Sequence, residues 1–170
     1  MLQYDYDTWV MNALQEEPED HLCSAESLAR YLIRFNHDIA EIIGEHGEEA
    51  AGRAVWHVYG VLSGDISIAL DDNDLETGLR VLESVKELYA RGFASHCALA
   101  APDHNTTRLD IACEMLWDMD TMQYAVEKHE ELLQKAFEVL EFALFLPNQM
   151  CQSSAIHGLG HLAFTYPQPA

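Results

Sequence analysis

The stretch Cys151-Gln-Ser-Ser-Ala-Ile-His-Gly-Leu-Gly-His-Leu162 decides how this chain folds. Cys151, Ala155, Leu159, Leu162 and Ala163 recur at i, i+4, i+8, i+11 and i+12, the rhythm of one face of an α-helix. Gly158 and Gly160 sit inside that rhythm, where each costs about 1 kcal/mol relative to alanine. A helix that keeps two such residues is expected to have a neighbouring backbone pressed close to it. That favours helix packed on helix over helix laid on a sheet.

Outward from this stretch the chain reads as helix after helix, with no run of alternating β-branched residues and no hairpin dipeptide between two such runs. A first helix is expected from Asp7 to Gln15, ended by Glu16-Glu-Pro-Glu-Asp20. Ser24 opens a second, whose apolar positions from Leu28 to Ile43 keep helical spacing up to Gly44. Gly47 restarts the chain into a third through Ala54, Val58 and Leu62, continuing to Leu70. The turn Asp71-Asp-Asn-Asp74 caps a fourth, with Gly92 as its stop. A loop over about His96 to Thr107 precedes a fifth helix to Met119, and a sixth spans about Tyr124 to Phe145. The last helix covers about 149–165, beyond which Pro167 and Pro169 forbid extension.

Arg108–Met119 aligns with Cys151–Leu162, matching Ala112 to Ala155, Leu116 to Leu159 and Met119 to Leu162 at an offset of 43 residues. Two helices per period of about 40–47 residues is the mark of a HEAT or armadillo array. Ser154-Ala-Ile-His-Gly-Leu-Gly-His-Leu162 resembles the first helix of a HEAT-like repeat, with its alanine followed by Leu-Gly-x-Leu. The resemblance implies an all-α fold of antiparallel helical hairpins stacked as a short α-solenoid. It gives one domain over 1–170, with N-terminal helices over 1–46 and HEAT-like pairs over 47–170.

Composition narrows the function. An apolar fraction of 49% belongs to an ordinary globular chain, and 9 basic against 29 acidic residues leave a net charge of −20. So negative a chain attracts cationic surfaces and repels nucleic acid and anionic lipid, so no nucleic-acid partner is expected. No apolar run is long enough for a membrane span and no signal peptide opens the chain, so the expected location is cytoplasmic. Cys23, Cys97, Cys113 and Cys151 have no metal-knuckle spacing and read as reduced core thiols.

Constellations able to carry chemistry are few. His157 and His161 form an HxxxH pair that puts two imidazoles on one helical face, as a zinc site requires. Cys151, six residues before His157, lies about 240° round the helix and cannot join them. No histidine has glutamate three residues before it, which excludes a di-iron bundle, and adjacent His96 and Cys97 point apart. No nucleophile motif or phosphate loop is present, and neither an enzyme nor a bound cofactor is expected.

The acidic turns remain. Glu45, Glu48 and Glu49 form one group, Asp71, Asp72, Asp74 and Glu76 another, and Glu127, Glu130 and Glu131 a third. Carboxylates favour helix starts on electrostatic grounds. In stacked hairpins such turns would share an edge and make an acidic ridge for a basic protein, with Trp56, Tyr59, Trp117 and Tyr124 as aromatic anchors. In size, charge and helical class the chain is similar to bacterial immunity proteins, a resemblance that implies a basic toxin domain, such as a nuclease, as the partner. The alternatives are a helical metal-binding protein or metalloenzyme using His157, His161 and a carboxylate from another helix, and a scaffold whose groove takes a peptide.

Overall fold

The computed structural model describes residues 4–19, 23–60, 63–97, 106–119, 122, 126 and 128–165, with no strand among them. The helices are α1 (Tyr6–Ala13), α2 (Ala25–Tyr59), α3 (Asp65–Asp71), α4 (Leu75–Glu87), α5 (Arg108–Glu114), α6 (Glu130–Leu144) and α7 (Gln149–Thr165). The all-α class expected from the periodicity holds. A π-helical stretch, Leu88–Phe93, and one further turn, Ala94–His96, prolong α4. No helix among the described residues is long and apolar enough to cross a membrane.

Five of these seven starts have a capping side chain that takes up an otherwise unpaired amide; the caps of α3, Gly64, and of α6, His129, make no such bond. Asp5 accepts from the Thr8 amide, Ser24 from that of Ser27 and Asp74 from that of Thr77. Thr107 and Asp110 form a reciprocal capping box on α5. For α7 the cap is Asn148, which accepts from the amides of Met150 at 2.9 Å and Cys151 at 3.1 Å. Its own amide nitrogen donates to the carbonyls of Ala94 and Cys97, fixing α7 to the end of the π-helical stretch.

Helix α2 is in effect two helices. Gly47 takes φ 82° and ψ 163°, a left-handed conformation that breaks the helical path. A straight helix would part Asn36 and Tyr59 by about 34 Å, yet the Tyr59 hydroxyl donates to the Asn36 side chain at 2.8 Å. The two limbs therefore fold back on one another at Gly47, where a new helix is expected to start. Asn36 is fully buried and also donates to Ser84 Oγ at 2.9 Å, which locks the hairpin to α4. Trp9 on α1 donates its indole N–H to the buried Asp65 that opens α3.

Three boundaries differ from expectation. The second limb of α2 ends at Tyr59, and Gly64 with φ 67° starts the separate α3, so no helix runs through to Leu70. Gly92 is no stop, because the π-helical stretch carries the chain past it to Cys97 with the glycine against Ile39. Helix α5 ends at Glu114 rather than Met119; i→i+3 bonds tighten the chain there into a turn ending at Asp118. Residues 98–105, 123–125 and 166–170, which carry part of the expected loop, the expected start of the sixth helix and the terminal prolines, lie outside the described residues.

Contacts run from α2 to α4, on to α6, to α7, to α5 and back to α2. They close a ring around one core and do not single out an open stack, in which only neighbouring repeats would touch. Trp9, Phe35, Tyr59, Tyr89 and Phe93 fill that core and are fully buried. A Cβ on Gly52 would lie 2.3 Å from backbone atoms of Arg108 and Leu109. The close backbone approach expected at the α7 glycines therefore occurs here, between α2 and α5.

Candidate functional site

Several carboxylates of the acidic turns make contacts within the fold, and the others are exposed. Glu49 accepts from the Arg108 amide at 3.2 Å, at the start of α5. Glu48 faces His96 at 4.0 Å and Glu45 faces His46 at 3.8 Å. Asp71 pairs with Lys128 at 2.6 Å and receives the Ser67 hydroxyl, while Asp74 is the cap of α4. Asp72, Glu76, Glu130 and Glu131 are exposed, and Glu127 lies outside the described residues. Of the expected anchors, Tyr59 and Trp117 are core residues, Trp56 is half-buried and Tyr124 lies outside the described residues.

Glu45 also borders an open groove of about 480 Å³ between α1 and the first limb of α2. Its floor is Val10 and Ile42, and Met11 stands at its rim with half of its surface exposed. Around it lie four carboxylates, Asp7, Asp38, Glu41 and Glu45, with Arg34 and His46. Arg34 lies 3.8 Å over the Tyr6 ring and pairs with Asp38 at 3.1 Å and with Asp7 at 3.7 Å, while more than half of its side chain stays exposed. Tyr6 donates to Asp38, and burial together with that carboxylate pushes its phenol upward, keeping it neutral. Asp7, Glu41 and Glu45 keep most of their side-chain surface in water, although Glu41 also meets Arg91 at 2.9 Å.

A second cluster lies on α7. Asp118 brings one carboxylate oxygen 3.1 Å from His157 Nε2 and the other against His161 Nε2. The imidazoles stack with centroids 4.9 Å apart and planes 15° from parallel. Sequence reading identified both histidines and the need for a carboxylate from elsewhere in the fold, but had no signal for Asp118. The turn after α5 aims it, and tertiary packing sets that turn.

Two features place the turn. Gly158 leaves room for the Trp117 ring; a Cβ there would lie 2.7 Å from Trp117 Cγ and from Leu140 Cδ2. The Trp117 indole N–H donates to the Tyr89 hydroxyl at 3.0 Å, which meets Ser154 Oγ at 2.7 Å. Ser154 spends its proton on the Cys113 carbonyl at 2.6 Å, so Tyr89 donates to Ser154 and accepts from Trp117. Burial pushes the Tyr89 phenol well up, which preserves it as a donor. The chain ties α5, the π-helical stretch and α7 together one residue from Asp118.

The remaining candidates are engaged in contacts within the fold. Cys97, Cys113 and Cys151 are free and buried. Burial above all pushes the Cys113 thiol far up, making it a poor nucleophile. His96 and Cys97 diverge, one toward Glu48 and the other toward the Leu109 carbonyl. His37 and Glu41 share Arg91 between them. Comparison with known proteins finds no matching family model, no similar curated protein and no matching solved structure.

Proposed function

We propose that this chain is a non-catalytic binding protein that covers a cationic protein surface, with the α1–α2 groove as its docking site. The observation that carries the reading is that groove, an apolar floor ringed by exposed Asp7, Glu41 and Glu45 on a chain of net charge −20. An exposed methionine beside carboxylates matches a partner presenting an apolar side chain flanked by lysines or arginines. The −20 field steers such a partner in, which raises association rate more than it deepens affinity. Neutralisation of a basic toxin domain is the form of this function that the size and charge of the chain favour.

Photo-crosslinking in a lysate of the native cells tests it, with the crosslinker replacing Met11 in one variant and exposed Phe145 in another. The expected product is a strongly basic protein captured at position 11 and not at 145, and lost when Asp7→Lys and Glu45→Lys are combined. An acidic partner, or equal capture at both positions, would refute the assignment.

A further inference from the structure

We infer that Asp118, His157 and His161 form a binding site for a divalent transition-metal ion of the zinc type. Among the described residues these three side chains place one ligand atom each within 4.8 Å of one another. A zinc ion bonded to nitrogen and oxygen at about 2.0–2.2 Å holds its ligands roughly 3 Å apart. His157 Nε2 and the nearer Asp118 oxygen are already 3.1 Å apart, and His161 Nε2 meets the other oxygen. Both imidazoles use Nε2, and their one-turn spacing on α7 points them the same way.

Ligand chemistry selects the ion. Two imidazoles and one carboxylate suit zinc, nickel, copper(II) or iron(II), whereas calcium and magnesium take oxygen ligands and copper(I) takes sulfur. The histidine side chains are 43% and 34% exposed and Asp118 18%, so an ion can enter and water can complete its coordination. The buried chain from Trp117 through Tyr89 and Ser154 holds Asp118 in place before any ion arrives. No residue of this site belongs to the α1–α2 groove, so the two assignments stand or fall separately.

The test is a titration of Zn²⁺ into the chelator-stripped full chain, followed by calorimetry and thermal melting. One ion is expected to bind above the weak background of so acidic a surface, and to raise the melting temperature. His157→Gln, His161→Gln and Asp118→Asn are each expected to weaken binding by at least about 10–100-fold, the loss even an outer partner causes. Glu130→Gln with Glu131→Gln, which strips exposed carboxylates elsewhere, is expected to leave it unchanged. Zn²⁺ should also shield His157 and His161 of the unaltered chain from diethyl pyrocarbonate, a readout that needs no variant to fold. Equal zinc binding by the chain and by all three variants, or unshielded histidines, would leave only a histidine–aspartate ion pair and overturn the site.

Discussion

At the scale of single residues, the two glycines of α7 that look alike in sequence have opposite roles. Gly158 is buried against Trp117 and Leu140, whereas a Cβ on Gly160 would meet nothing within 4 Å. Gly158→Ala is therefore expected to cost about 1–3 kcal/mol, the range for forcing atoms into a packed site. Gly160→Ala is expected to gain up to about 1 kcal/mol of helix propensity. Denaturant unfolding of both variants checks the contrast; equal shifts would contradict it. The periodicity of α7 showed that its glycines needed a reason, and it could not show which one had it. The reason lies in Trp117, 41 residues away in sequence. Asp118 was hidden in the same way, because a turn set by packing aims it at the histidines.

Among elements, most starts were legible because their caps are local. Ser24, Asp74 and Thr107 each sit just before the helix they cap, and the break at Gly47 follows from the freedom of glycine. The π-helical stretch Leu88–Phe93 was not legible, since its residues keep ordinary helical spacing. Between elements, α4 and α6 are joined where Lys135 meets both Glu83 at 3.1 Å and Glu138. The hydrogen bond from Lys86 above all, and then that from Lys135, holds the Glu83 carboxyl below its usual range. Because its folded value is depressed, the stability it contributes is present above the unfolded carboxylate range and lost as pH falls through the folded value. Half-exposed pairs contribute about 0.2–1 kcal/mol. Glu83→Gln should thus lower the melting temperature at pH 7 by no more than about 2–4 °C. In acid the gap should close, because protonated Glu83 and glutamine then present the same charge. Melting curves across pH check this, and a gap that persists in acid would contradict it.

For the whole molecule, the all-α class was legible from periodicity alone, since apolar residues at helical spacing must find another helix to bury against. The arrangement of the helices was less so. The 43-residue correspondence pairs mostly buried positions, Ala112 with Ala155, Leu116 with the half-buried Leu159, and Met119 with Leu162. Burial of that kind occurs in closed bundles as well as in open arrays. Net charge, by contrast, passes from sequence to surface unaltered, and the proposed function depends on it. The direct measurement is the association rate constant of the chain with the partner captured at position 11, followed as salt is raised. Steering by a charge of −20 predicts that the rate falls by about tenfold or more. An association rate indifferent to salt would contradict the account.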